Sequence, residues 1–294
     1  MKIKALILSG LLFTAVGVNL FVSRDAYAQE EATQAAQQAS PTPTPSSNVV
    51  FTRPRQTEEI KRLHTLYQDQ VERHTALQRE FYINRAQFEK LNTLQSLEEA
   101  IKSAREVMLT RDDVLITYFE LMRASLVDTE GIELTEKQKN IDRLVSFIDS
   151  LKAHKQTVLK SATREDIAAR ADEFDELSVQ FENVSYRSLA LITLGDIQAV
   201  YDKSLIIYDD ILTYHKDNPT TPILQQERDR AYREVDRAIE NSRVNLNAAR
   251  EKYVENPDLT RGNYGESIGK EINSSYSNTS QILTFLKELF LELT

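Results

Sequence analysis

Apolar residues recur at alternating steps of three and four along most of the chain. In a first series of ten positions that starts at Ile60, seven are apolar, and in a second series that starts at Leu94, eight of ten are. This spacing is typical of helices that pack along a coiled-coil-like seam. The phase breaks between the two series, so the pattern predicts two antiparallel helices, over about 55–92 and 97–128, joined by a tight turn.

Proline and glycine are scarce in the body of the chain. From residue 55 to residue 218 there is no proline, and the only glycines are Gly131 and Gly195. An all-β fold needs more frequent turns than this. Capping patterns and Pro222 place the remaining helices, and we expect a kink at Gly195. A third helix is predicted to begin at residue 135. Three more are predicted over about 164–215, over 222–256 and over about 267–293. The sequence therefore predicts an all-α fold, an elongated antiparallel bundle of about six long, coiled-coil-like helices.

The N-terminal segment differs from this body. Lys2 and Lys4 precede an uncharged, mostly apolar stretch, and Ala26-Tyr27-Ala28 has the small-x-small pattern of a cleavage site. These parts, in this order, predict a secretory signal peptide over 1–28, with Ala26 and Ala28 forming the cleavage site. The alternative is a retained membrane helix. Both interpretations place the body outside the cytoplasm, because the lysines stay inside.

A spacer follows the apolar stretch. Residues 29–54 are rich in Ala and Gln and then in Pro, Thr and Ser, and this composition predicts a disordered linker. The helical bundle domain is then predicted over 55–294. If the N-terminal segment is retained, the same linker becomes the stalk of a membrane-anchored bundle.

Composition excludes several kinds of site. The chain has 294 residues, no cysteine and a formal net charge of -9, so disulfides and thiolate metal sites are excluded and nucleic-acid binding is disfavoured. No Glu-x-x-His pair, phosphate-binding loop or Gly-x-Ser-x-Gly elbow occurs. We therefore predict no catalytic residue, no cofactor and no metal site. The acidic stretch over 171–176 is predicted to be a solvated helix face, with divalent-cation binding as the alternative.

Two segments are candidate partner surfaces. The segment 257–269 is irregular in composition and combines Arg261 and Tyr264 with three glycines. The C-terminal helix has a broad apolar face that includes Leu286 and Phe290. The plain alternatives are a helix connector for the first segment and docking into the same bundle for the second.

The segment from Phe81 to Met122, with its "QFEKLNTLQSLEEAIKSAREVMLTRDDVLITYFELM", is similar in style to chains of one group of bacterial proteins. The whole layout of signal peptide, Pro-Thr spacer and helical body resembles uncharacterised exported helical proteins of candidate-phylum bacteria with small genomes. The resemblance implies a cell-envelope setting. It supplies no catalytic or binding residues.

Together these observations predict a non-enzymatic, extracytoplasmic helical scaffold or protein-interaction module at the cell envelope. Its partner would be an unknown protein or envelope component, or a further copy in a homo-oligomer. It would meet the membrane only through an uncleaved N-terminal segment. The alternatives are a binding protein for a small ligand or divalent cation, using the acidic face or the 257–269 segment, and a hydrolase with paired carboxylates.

Overall fold

A computed structural model describes residues 58–218 and 222–291, and within these ranges the chain is helical apart from short turns, with no strand. This confirms the all-α prediction. The predictions for the signal peptide over 1–28 and the linker over 29–54 concern residues outside these ranges. The helices are α1 Glu58–Leu91, α2 Leu94–Asp128, α3 Leu134–Lys160, α4 Arg164–Ser178, α5 Phe181–Asp217, α6 Pro222–Glu255, α7 Arg261–Tyr264 and α8 Lys270–Leu291, and the π-helical turn Gly265–Gly269 joins the last two.

Side-chain caps explain where α2 and α4 begin. At the start of α2 the Thr93 side chain accepts a hydrogen bond from the Ser96 backbone, and the Ser96 side chain accepts one from the Thr93 backbone. Thr163 and Asp166 make the same reciprocal pair at the start of α4. Each pair satisfies two backbone N–H groups that the first helical turn leaves without partners.

The predicted fourth helix, over about 164–215, is two helices. The break lies between Ser178 and Phe181, and Gly195, where the sequence suggested a kink, sits inside α5. The break brings the Phe181 ring within 5.9 Å of the Phe174 ring on α4 and within 5.3 Å of the Phe119 ring on α2. Directly after the break, Phe181 therefore packs into a cluster of aromatic rings that α2 and α4 share.

Helices α1, α2 and α3 pack as antiparallel neighbours. The Tyr67 and Tyr118 rings lie 5.9 Å apart, and farther along the same pair of helices His74 contacts Thr110. Between α2 and α3, the Phe119 and Phe147 rings lie 6.1 Å apart, while Arg105 donates a hydrogen bond to the Ser161 carbonyl. In both pairs the residue number rises on one helix as it falls on the other. Helix α2 lies between α1 and α3 and also touches α4 and α5, and about half of its residues are buried.

Helix α5 is shared by two groups of helices. Its first turns pack on α2, α3 and α4 through Phe181. Farther along, the Tyr208 hydroxyl donates a hydrogen bond to Asp236 of α6 at 2.8 Å. Helix α6 in turn packs antiparallel on α8, where Ser242 and Thr279 share a buried hydrogen bond of 2.7 Å. The second group is therefore a three-helix bundle formed by α5, α6 and α8.

Candidate functional site

Helix α8 buries one stripe of side chains. The stripe alternates steps of three and four, as in a coiled-coil seam, and includes Ser275 and Thr279 among otherwise aliphatic residues. Its members on α8 are Ile272, Ser275, Thr279, Ile282, Leu286 and Leu289, and Ile268 of the preceding π-helical turn continues it; all are buried. This stripe fixes α8 against the rest of the three-helix bundle.

A second row of large side chains on α8 faces solvent. Tyr276, Leu283 and Phe290 are 67%, 43% and 57% exposed. They are seven residues apart, so they lie on one side of the helix at intervals of about 10.5 Å. We call this row and the polar residues beside it the outer face of α8. Three apolar side chains on one line are a larger exposed patch than single scattered residues would make.

The outer face of α8 has no charge along most of its length. Residues 272–286 contain no Asp, Glu, Lys or Arg, although 28% of the chain is charged. Charge depletion together with exposed aromatic residues is the composition found at the centre of protein interfaces. A face of this composition can bind another protein surface without stripping water from a charged group.

Leu286 and Phe290, the two residues predicted to form a partner surface on this helix, lie on different faces of it. Phe290 lies on the outer face, as a partner surface requires, but Leu286 lies in the buried stripe with 3% of its surface exposed. The apolar residues of the segment therefore form two faces, where the sequence suggested one broad face. Leu283 and Tyr276 occupy the outer face in place of Leu286.

The segment 257–269 is more ordered than its composition suggested. Only residues 256–260 are irregular, because α7 and the π-helical turn cover the remainder. Arg261 is exposed, and its backbone N–H donates a hydrogen bond to the Glu182 carboxylate at 2.7 Å. The Tyr264 ring packs 5.3 Å from the Tyr186 ring, and burial raises the pKa of the Tyr264 hydroxyl to about 12. These contacts hold the connection between α6 and α8 against the start of α5.

A buried charged cluster lies where α2, α3 and α4 meet. Asp112 is fully buried, and one of its carboxylate oxygens, Oδ2, lies 2.7 Å from Nδ1 of His154. The other ring nitrogen of His154, Nε2, lies 2.9 Å from the Arg170 carbonyl oxygen. Arg111 adds a cation, with Nε 3.7 Å from Oδ1 of Asp112. The cluster therefore joins three helices through one carboxylate and one imidazole.

The partners of His154 define its charge. A carboxylate and a carbonyl oxygen are both acceptors, so both ring nitrogens must carry a proton to satisfy them. Burial lowers the pKa of His154, but the hydrogen bond and charge of Asp112, with the Arg170 carbonyl, outweigh it and the net pKa is raised. The geometry and the pKa thus agree on a buried imidazolium that clamps α3 to α2 and α4.

The Arg111 guanidinium lies over an aromatic ring. Its carbon atom is 3.1 Å from the centre of the Phe174 ring, a cation–π contact. Burial lowers the pKa of Arg111 to about 10, against the opposing effects of Asp112 and Asp175, so the side chain stays charged at neutral pH. Nε and Nη2 make no hydrogen bond with the described part of the chain. Asp112 is therefore the buried anion that balances both cations.

His74, His154 and His215 each hydrogen-bond another group of the chain through at least one ring nitrogen. Both ring nitrogens of His154 are engaged, Nδ1 of His74 contacts the Thr110 hydroxyl at 3.1 Å, and Nδ1 of His215 contacts the Tyr232 hydroxyl. In the acidic stretch over 171–176, Glu173 pairs with Arg170 at 2.6 Å, and Asp175 lies in the field of Arg111. Across the described ranges, no group of three or more His, Asp or Glu side chains is arranged to hold a metal ion.

Sequence reasoning missed the charged cluster, although two signals pointed to it. Arg111 occupies one slot of the mostly apolar α2 series, three residues before the apolar run that begins at Val114. On α3, the buried stripe of Leu144, Ile148, Leu151 and Val158 leaves one slot, and His154 fills it. A charged or titratable residue in a seam slot of each of two neighbouring helices indicates a buried pair.

Comparison with known proteins gives no relative. No family model matches this chain, and no match was found among curated proteins or solved structures. Among residues 58–218 and 222–291, no helix is both long enough and apolar enough to span a membrane.

Proposed function

We propose that this chain is a non-enzymatic helical scaffold or protein-interaction module that works outside the cytoplasm at the cell envelope. The outer face of α8 is its contact surface. The observation that carries the proposal is the line of exposed side chains at Tyr276, Leu283 and Phe290, of which the first two lie within the charge-free stretch 272–286. Such a face is costly to leave in water and suits a protein partner.

The extracytoplasmic setting rests on sequence alone. Lys2 and Lys4, the apolar stretch and the Ala26-Tyr27-Ala28 pattern support export, with cleavage after Ala28. The hydrogen bonds of three histidines support a non-enzymatic role. His154, His74 and His215 each bond a neighbouring side chain through Nδ1, and these bonds join helices. If the N-terminal segment is retained, the same bundle works at the end of a membrane-anchored stalk.

Site-specific photo-crosslinking in the native cells tests this function. A photo-reactive residue replaces Leu283 in the full chain, and a matched variant carries it at Val244 on α6. Val244 is also exposed, at 52%, but lies beside the ion pair of Arg243 and Glu240. We expect a discrete adduct from position 283 in the extracytoplasmic fraction, and none from position 244.

Mass spectrometry of the adduct identifies what the face contacts, and the mass of the mature chain reports the cut after Ala28. Equal labelling from both positions would show non-specific contact. No adduct from position 283, or a chain confined to the cytoplasm, would overturn the proposed function.

A further inference from the structure

We propose that the outer face of α8 binds the same face of a second copy of this chain, with the two helices antiparallel about Leu283. This inference rests on the proposed function, because it names the partner of the same surface. Three features of the face support a second copy over a different protein: the equal spacing of its apolar residues, its lack of charge, and the placement of the nearest charges.

The spacing of the row is self-complementary. Tyr276 and Phe290 are each seven residues from Leu283, on opposite sides of it along α8. A two-fold axis through Leu283 therefore places Leu283 against its own copy and Tyr276 against Phe290 of the second copy. Residue i then meets residue j while j meets i, as an interface with two-fold symmetry requires. The aromatic pair is formed twice, once at each end of the contact.

The charge of the chain favours this face for self-association. Each copy carries a formal net charge of -9, so two copies repel over most of their surfaces. The approach is least opposed where neither copy presents a carboxylate, and residues 272–286 meet that condition. A basic partner protein would need an acidic face to bind, and residues 272–286 have no acidic side chain.

The nearest charges on α8 do not meet across the axis. Lys287 is four residues from Leu283, so the two copies of Lys287 are separated by eight residues, or about 12 Å along the contact. The antiparallel register places Lys287 level with Thr279 of the second copy, which has no charge. A parallel arrangement would bring the two lysines side by side, and repulsion disfavours it.

The contact is small. The row from Tyr276 to Phe290 spans about 21 Å, and one helix face lies at the low end of specific interfaces. We therefore expect a reversible dimer with a dissociation constant of about 1 to 100 µM. In the charge-reversal test, Leu283→Asp places two carboxylates at the axis, and we expect it to weaken the dimer by at least about tenfold. Val244→Asp is the matched control and should leave the dimer unchanged.

Engineered disulfides test the register, because the natural chain has no cysteine. In the full chain under mild oxidation, Leu283→Cys should form a linked dimer rapidly, and Val244→Cys should not. Tyr276→Cys alone and Phe290→Cys alone should link slowly, whereas a mixture of these two variants should link rapidly. Analytical ultracentrifugation of the wild-type chain supplies the dissociation constant, and circular dichroism checks that each variant is folded.

Failure of this inference is distinguishable from failure of the proposed function. A wild-type chain that remains monomeric at several hundred micromolar, with Leu283→Cys linking no faster than Val244→Cys, overturns the second-copy inference. If photo-crosslinking from position 283 still yields an adduct with a different protein, the proposed function stands. If both experiments give nothing, both proposals fall.

Discussion

The backbones of Gly131 and Gly195 lie against each other where the turn between α2 and α3 meets α5. A Cβ atom on Gly131 would lie 2.5 Å from the Gly195 carbonyl oxygen, and a Cβ atom on Gly195 would lie 2.4 Å from Cγ1 of Ile132. Gly131 also has a φ of +74°, which side-chain-bearing residues rarely adopt. Gly195 thus permits a close approach between two backbones, and α5 continues through it.

Substitution of Gly195 by alanine should destabilise the protein. The added methyl group would overlap Ile132, Thr129 and the Glu130 carbonyl, and neither backbone can move away without unpacking the turn. We expect a loss of about 1 to 3 kcal/mol in the free energy of unfolding, measured by urea denaturation. The control is Gly265→Ala, since a Cβ atom there meets nothing within 4 Å. Equal effects of the two substitutions would contradict the close approach.

The stability contributed by His154 should depend on pH. Its pKa in the folded chain is raised above the ordinary value of 6.5, so its contribution is fully present below 6.5 and is lost as pH rises through the folded pKa. We expect the wild-type chain to be more stable than His154→Gln by about 2 kcal/mol near pH 5.5, with a smaller difference near pH 9.

The measurement is the difference in the free energy of unfolding between wild type and His154→Gln at each pH. Burial lowers the pKa of His74 and His215, so these two groups titrate with the opposite sign. They are present in both chains, and the difference cancels them. An advantage of wild type that increases with pH would show that His154 is neutral in the folded chain.

Loss of the Asp112 charge should cost more stability than loss of the Arg111 charge. Asp112→Asn leaves Arg111 and His154 as two buried cations without an anion, and we expect it to cost about 3 to 5 kcal/mol. Arg111→Met leaves Asp112 paired with His154 and removes the contact with Phe174, so we expect a cost below about 2 kcal/mol. Denaturation at neutral pH compares the two variants. The reverse order would show that Asp112 does not balance both cations.

Truncation of Leu286 should destabilise the protein much more than truncation of Leu283, although both residues lie on α8. Leu286→Ala opens a cavity in the buried stripe and should cost about 2 to 5 kcal/mol. Leu283→Ala removes an exposed side chain and should change the stability of the monomer by less than about 0.5 kcal/mol. Thermal or chemical unfolding at low protein concentration measures both. A large loss from Leu283→Ala in the monomer would place that residue in the core.

Much of the fold follows from patterns that act locally. Thr163 with Asp166 predicted the start of α4, and Pro222 predicted the start of α6, because capping and proline geometry depend on a few adjacent residues. The break before Phe181 depends on rings contributed by α2, α3 and α4, which no local pattern contains. The role of Gly195 likewise depends on a turn more than sixty residues away in sequence.

The candidate sites likewise combine features that local sequence patterns predict with features that depend on distant parts of the chain. The sequence identified α8 as apolar, but it did not separate Leu283 from Leu286, because the direction of burial depends on where α6 lies. The spacing of seven between Tyr276, Leu283 and Phe290 was present in the sequence as a second stripe. The charged cluster required Asp112 and His154, which are 42 residues apart, to be brought together by the antiparallel packing of α2 and α3.

Helix α5 also constrains how this chain can change in length. Its 37 residues are packed at one end by Phe181 and at the other by Ile211, with different helices at each end. One residue inserted between them would turn one end by about 100° relative to the other and shift it by about 1.5 Å, so one set of side chains would leave its core. Insertions and deletions should therefore accumulate in turns such as residues 256–260, while the residue count of α5 stays fixed.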